Sequence, residues 1–449
     1  MDQLCSISKK CGGCSQIDVP YDQQLAEKQA AIEALFAPLI ESGGAAQSGT
    51  EAPSPIGSSP LVRPILGMDE PWHYRTKIVS PFAPAKKKHS LRSLARTGRA
   101  GKLALRREDI LCGMYAAGTH QIIECEECPV EHPVGRRVVT AVRQIMARYG
   151  MAPYNEDTGA GFVRHVVVRV GAQSGEVLVT LVTNGREFTG SKNFCKELVR
   201  QVPEVTTVVQ NINTRQTNVI FGEEEQVLYG PGFILDTLCG LSFRISSNSF
   251  FQVNARQTEV LYSSAIALAL GAEGVAPSRA SSSEAGARDG GLQNLARMSP
   301  TILDAYCGTG TIGLVAAAAV PGVQVIGVDS TEAAIADARQ NATHNGIENA
   351  RFIAQDAGEF MEGYALLGGT VDVVFMDPPR SGASTEFLQA LIKLAPKNIV
   401  YISCNPETQV RDAVTLMEAG YSIESVQPVD MFPHTPHVET VVLMTRRKS

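Results

Sequence analysis

No apolar run in the 449-residue sequence approaches the roughly 20 residues that span a bilayer. The opening stretch, MDQLCSISKKCGGC, also lacks the apolar core of a signal peptide. Positive charge is not in excess. Lys and Arg number 40 against 46 Asp and Glu, a net charge of −6, which excludes a protein that coats nucleic acid non-specifically. These absences predict a cytoplasmic protein with no membrane partner and no obligate protein partner. Thiols stay reduced in that compartment, so the ten cysteines need a reason other than disulfides. One local stretch departs from the charge balance. From Lys86 to Arg107 there are nine Lys or Arg and no Asp or Glu, which reads as a solvated strand-turn face or as a contact for RNA phosphates.

Two segments are small, polar and rich in Pro, Gly or Ser, and cannot supply a packed core: 41–60 and 271–300. They divide the chain into a cysteine motif with a helix (1–40), a linker (41–60), a central α+β domain (61–240) and a C-terminal domain (241–449) with a flexible insertion at 271–300. YDQQLAEKQAAIEALFAPLI has helical periodicity, with Leu25, Ile32, Leu35 and Phe36 on one stripe. In the central segment HVVVRV, EVLVTLVT and TVVQNIN read as strands, and KNFCKELVRQV as a helix.

From residue 301 the pattern alternates. TILDAYC, VQVIGVD, ARFIAQD, VDVVFMD and NIVYISC are apolar runs ending in a polar or reactive residue, with helical segments such as TEAAIADARQNATHN between them. This predicts an α/β, Rossmann-like, doubly wound parallel sheet. Ligands bind at the carboxyl ends of such strands, so Asp304, Asp329, Asp356, Asp377 and Cys404 should gather along one edge. DAYCGTGTIG carries Gly308-x-Gly310-x-x-Gly313, which serves NAD or S-adenosylmethionine equally well, with Asp329 placed to bond a ribose.

FMDPPRSG puts Asp377-Pro378-Pro379 after a buried strand, an arrangement familiar from nucleobase methyltransferases. Arg380 follows where adenine-amino methylation normally has an aromatic residue, which leaves room for another target atom. Carbon 5 of uracil is one. It becomes nucleophilic only after a thiolate adds to carbon 6, and a base must later remove the carbon 5 proton. Cys404 and Glu439 suit those roles. A small buried hydrophobe and a salt-bridging surface carboxylate are the plain alternatives.

LDAYCGTGTIG, FMDPPRSG, YISCNPETQVRD and MFPHTPHVETVVLM, with PWHYRTKI and SNSFFQVN upstream, resemble the RNA 5-methyluridine (uracil-C5) methyltransferases. The resemblance covers nearly the whole chain. It implies that Cys404 is the nucleophile and Glu439 the general base. It also implies that S-adenosylmethionine lies against Gln252, Tyr306, Asp329 and Asp377, with Thr311 and Asp356 as further contacts. Asp329 stands where many members carry Glu.

Cys5, Cys11 and Cys14 form C-x5-C-x2-C, and zinc and iron–sulfur sites both take four ligands. Cys125 and Cys128 are the candidates for the fourth. The family pattern selects Cys128, in a Cys-Pro dipeptide, and implies a [4Fe–4S] cluster; zinc is its competitor on spacing. Only four residues precede Cys5, so the resemblance further implies that the RNA-binding barrel of longer members is absent. The tRNA-specific branch lacks the cluster cysteines, which favours 23S rRNA as partner. The expected activity is therefore S-adenosylmethionine-dependent methylation of a uridine in 23S rRNA. The alternatives are a tRNA uridine-C5 methyltransferase and a non-catalytic iron–sulfur RNA-binding protein.

Overall fold

The computed structural model describes residues 5–45, 61–85, 105–270 and 300–447. Most of the expected linker, the basic stretch from Lys86 to residue 104, and the expected insertion up to residue 299 lie outside the described residues. The linker boundary itself is corrected. The first helix runs Tyr21–Ala45 and takes the first five residues assigned to the linker, because extending a formed helix costs far less than nucleating one. Among the described residues no helix is long and apolar enough to cross a membrane.

The chain forms two compact units, and neither is one continuous stretch. The first comprises the described residues of Met1–Asp18, Pro71–Thr237 and Arg244–Ala255; the second those of Val19–Glu70, Leu238–Phe243 and Arg256–Ser449. The cysteine motif and the helix after it therefore part company. Ile32, Phe36 and Leu39 of that helix are buried in one apolar cluster with Leu303, Val374, Ile399 and Val442, so burial assigns it to the C-terminal unit.

The first unit is built on strands β1 (Lys77–Pro84), β2 (Ile110–Tyr115), β3 (Ile122–Glu124), β4 (Val163–Val170), β5 (Val177–Thr183), β6 (Val205–Ile212) and β7 (Glu224–Tyr229), in spatial order β3-β2-β1-β4-β5-β6-β7. All ladders are antiparallel except β5-β6, whose parallel pairing is made by the crossover helix Ser191–Gln201. That helix and Pro133–Tyr149 cover one face, burying Val138, Val142, Ile145, Phe194 and Leu198 against Ile78, Val166, Val168 and Val179. A ribbon of β8 (Phe233–Leu238) and β9 (Leu241–Ser246) follows, and the boundary between the units cuts through both strands.

The second unit carries β10 (Thr301–Ala305), β11 (Gln324–Asp329), β12 (Ala350–Ala354), β13 (Val373–Met376), β14 (Asn398–Ser403), β15 (Tyr421–Val429) and β16 (Glu439–Arg446), in order β12-β11-β10-β13-β14-β16-β15. The first five are parallel, as the alternation predicts. β16 is antiparallel to both β14 and β15, so the sheet is mixed rather than wholly parallel. A short hairpin can only return antiparallel, whereas a parallel neighbour needs a crossover. β15 is covered at its outer edge by the chain at 61–66, through Arg63 N to Val426 O (2.8 Å) and Leu66 N to Pro428 O (3.0 Å), which removes an exposed strand edge. Winding reverses between β10 and β13, which opens a crevice at their carboxyl ends.

Candidate active site

β10 delivers Tyr306 and the glycine loop to that crevice. Gly310 has φ 78°, and a side chain there would meet the Phe352 ring at 2.7 Å. A side chain at Gly313 would meet Asp304 Oδ2 at 2.8 Å. The Gly313 N–H donates to that same oxygen at 2.9 Å, so Asp304 anchors the loop from beneath rather than facing a ligand. Burial pushes the Asp304 carboxyl up to about 7. Tyr306 is a non-glycine residue at φ 63°, strain of the kind that collects at functional sites. Its ring packs on Phe387, centroids 4.9 Å apart.

Asp329 ends β11 and accepts from Gly308 N at 3.0 Å and Thr331 N at 2.8 Å. It braces the loop and remains half-buried. Asp356 caps the helix Ala357–Leu366 through Gly358 N and Glu359 N. Thr311 opens the helix Thr311–Ala319, and its hydroxyl lies 3.0 Å from Tyr262 Oη. Tyr306, Thr311, Asp329, Asp356 and Asp377 thus all stand at the carboxyl ends of parallel strands. Gln252 is half-buried and belongs to the first unit.

Cys404 follows the last residue of β14. In the β14-β16 ladder Ser403 pairs with Thr440. Carrying that register on by one residue sets Cys404 opposite Glu439, the first residue of β16. The thiol and the carboxyl are electrostatic neighbours: burial, then Glu439, raise the Cys404 thiol. Glu439 is only 4% exposed. Burial, then the charge of Asp377, push its carboxyl up to about 8, while Arg380 acts in the opposite sense. Burial likewise raises Asp377 to about 7.

Sequence reasoning noted Arg380 only for the aromatic residue it displaces. In the structure it hydrogen-bonds the Cys404 side chain, which lowers the thiol against burial and the charges of Glu439 and Asp377. Its guanidinium lies 3.4 Å from His437 Nδ1. Its carbonyl accepts from Asn405 Nδ2 (2.9 Å) and Thr408 Oγ1 (3.3 Å), which ties the Arg380 loop to the turn after Cys404. Pro406 ends the strand segment by opening the helix Pro406–Glu418. Behind the turn Gln409 bonds Tyr401 O at 2.8 Å, and Tyr401 Oη donates to Asp412 at 2.7 Å. Gln409 and Asp412 are buried, and their signal was already inside the YISCNPETQVRD motif.

In the first unit, Cys5, Cys11, Cys14 and Cys128 are electrostatic neighbours. Burial, then the charges of Cys128, Cys11 and Cys5, push Cys14 up to about 12. The Cys125 thiol hydrogen-bonds Cys128, whose own value falls to about 7. Cys5 and Cys128 also line a cleft of about 820 Å³ with His73, Arg137 and Gln144. Among the described residues, however, no three or more His, Cys, Asp or Glu side chains converge into a group that could hold a metal ion. The donor set is of the kind a soft metal centre uses.

A family model described as tRNA (Uracil-5-)-methyltransferase matches residues 292–447. An uncharacterized RNA methyltransferase of Halalkalibacterium halodurans is 34% identical over 440 residues, 98% of this chain and 82% of its own. Another, from Bacillus cereus, is 35% identical over 443 residues, 99% and 83%. Among solved structures, the Pyrococcus abyssi tRNA (uracil-54, C5)-methyltransferase in complex with S-adenosyl-L-homocysteine matches with a TM-score of 0.64 at 24% identity, over 97% of this chain and 86% of that one. The last likeness shows the fold.

Proposed function

Because the chain belongs to the S-adenosylmethionine-dependent RNA uracil-5 methyltransferase family, we propose that it methylates carbon 5 of a uridine in 23S rRNA through Cys404 and Glu439. The observation that carries this reading is the pairing of thiol and carboxyl across the ends of β14 and β16, with Asp377 and Arg380 beside them.

The glycine loop, Tyr306, Thr311, Asp329, Asp356 and Asp377 would hold S-adenosylmethionine. The half-buried carboxylate of Asp329 beside the glycine loop supports that fit. When bound there, the sulfonium supplies the methyl group. The uridine must leave its stack to reach Cys404. The Cys404 thiolate, held by Arg380, forms a bond to carbon 6, and the displaced electron pair makes carbon 5 nucleophilic. After carbon 5 is methylated, the Glu439 carboxylate takes its proton. The electrons of that C–H bond restore the ring double bond and expel the thiolate.

Cys5, Cys11, Cys14 and Cys128 would hold a [4Fe–4S] cluster. The mutual electrostatic influence of the four thiols supports it. The same cysteines favour 23S rRNA. The tRNA reading is supported by the description of the family model and by the substrate named for the Pyrococcus protein. For RNA contact, β1 offers Lys77, paired across the ladder with Arg169. Burial and the charges of Arg169 and Arg75 bring Lys77 down to about 8, and no acid is among these causes. Phosphate would relieve that repulsion.

The test uses 23S rRNA and tRNA transcribed with tritium at uracil carbon 5. Release of tritium into water in step with methyl incorporation is expected from the rRNA. Methyl incorporation without release would move the target to another atom and overturn the cysteine mechanism. Release from tRNA alone would establish the tRNA reading.

A further inference from the structure

A catalytic constellation such as Glu439 and Cys404 must be held to about 0.5 Å, yet Glu439 enters from a turn that holds a left-handed residue. Asp430 to Val438 contains Pro433 and Pro436, and between them His434 sits at φ 67°, a left-handed backbone on a non-glycine residue. Such a turn does not hold itself; packed partners must impose it. The partners come from the far end of the sequence. Tyr21, Gln24 and Lys28 lie at i, i+3 and i+7 on one stripe of the helix Tyr21–Ala45. Tyr21 Oη donates to Asp430 Oδ2 at 2.8 Å. Lys28 Nζ donates to Asp430 Oδ1 at 2.7 Å and to Phe432 O at 3.3 Å. Gln24 Oε1 accepts from His434 N at 2.8 Å, and its amide nitrogen is 3.2 Å from His434 Nδ1.

The Lys28 and Asp430 side chains are 2% and 0% exposed. A buried ion pair of this kind is a poor source of stability, because desolvation offsets its attraction. What it does supply is a fixed geometry. The geometry passes to the site at the carboxyl end of the turn, where Glu439 faces Cys404 and His437 meets Arg380. Burial, then the charge of Arg380, then that of Lys28, favours the neutral His437 ring.

We propose that Tyr21, Gln24 and Lys28 are positioning residues for the transfer reaction, holding the Asp430–Val438 turn so that Glu439 and His437 meet Cys404 and Arg380. The inference rests on the uridine-C5 reading for its kinetic consequence but not for its geometry. It gives the helix a role in catalysis although none of its residues touches the reacting atoms.

Two variants test it in the full chain. Lys28→Met with Asp430→Asn removes both buried charges together. Gln24→Met removes the bonds to His434 and strands no charge, and it stands in if the double variant does not fold. With tritiated rRNA, both are expected to lose about ten- to hundredfold in kcat, with KM for RNA within about twofold. RNA–protein adduct stable in denaturing gels should accumulate above the wild-type level, because proton removal is the slowed step. Unchanged kcat and no excess adduct would overturn the proposal, even if the melting temperature fell. Hydrogen exchange of the amides from Phe432 to His437 is read in parallel. Faster exchange in the variants supports the positioning role and unchanged exchange overturns it, whatever the substrate proves to be. Absence of tritium release from the wild-type protein would instead count against the uridine reading.

Discussion

Cys404 and Cys14 are both half-buried thiols raised above the ordinary value, and burial is the largest cause in each. The second cause separates them. Cys14 is raised by three other cysteines. Cys404 is raised by two carboxyl groups, Glu439 and Asp377, and lowered by one arginine, Arg380. Thiols crowded by thiols share a demand for a cation, which suits a metal centre. A thiol set against an acid and a guanidinium has a proton donor, a proton acceptor and an anion-stabilising group around it, which suits covalent catalysis. The same side chain thus takes opposite roles through its neighbours, and sequence motif alone does not list those neighbours.

The sharpest way to break the comparison is to exchange each thiol for alanine. Cys404→Ala should lower methyl incorporation by at least about three orders of magnitude while equilibrium S-adenosylmethionine binding persists. Cys14→Ala should leave single-turnover methyl transfer within about tenfold of wild type and remove iron from anaerobically purified protein. Equal losses of transfer in the two variants would erase the distinction. Glu439→Gln should reduce turnover by about 10²–10⁴-fold and trap a covalent RNA–protein adduct visible in a denaturing gel. A variant that binds RNA yet forms no adduct would remove Glu439 from the base role.

Arg380→Met should cost about ten- to a hundredfold in kcat and shift iodoacetamide alkylation of Cys404 to higher pH, since the bond that lowers the thiol is gone. Alkylation of the cysteines near Cys14 should not move. The smallest expected effect is on pH. A base must be ionised, so with Glu439 at about 8 the rate should rise through pH 7–8, and the raised Cys404 thiol works in the same direction. Stability takes the opposite sign. The unfolded carboxyl ionises from its ordinary 4.5, whereas the folded one keeps its proton to about 8. The unfolded state therefore binds fewer protons across that window, and stability falls as pH rises through it. Glu439→Gln should melt with wild type near pH 4.5 and above it by pH 8, by an amount on the order of a few kcal/mol at most. Melting curves across that range check it.

Much of the C-terminal unit was legible. Five apolar runs became five parallel strands, and their terminal residues lie at one sheet edge because parallel strands share a direction. The helix Glu332–His344 falls inside the stretch that predicted it. β15 was not read, because YSIESVQPV mixes polar residues into a strand whose inner positions are only partly apolar. The helix stripe through Ile32 and Phe36 was visible, but its continuation through Gln24 and Lys28 was not. Both are buried, and a hydrophobicity pattern passes over polar residues whose partners are 402 and 410 positions away. Arg380 was seen only as a substitution, since nothing local says that its guanidinium turns to Cys404.

The sequence by itself determined the alternation that makes the parallel sheet, the glycines that let the loop after β10 pack closely on Phe352 and Asp304, and the residue types able to do uracil chemistry. These are local properties, set by period, backbone freedom and functional group. Only the tertiary structure decided which groups meet. The antiparallel return of β16 puts Glu439 opposite Cys404, a distant helix holds the turn that delivers it, and burial beside Asp377 lifts its carboxyl toward neutral pH. The reason is that register, burial and charge proximity belong to pairs of residues, and the pairs are made only when the chain has closed on itself.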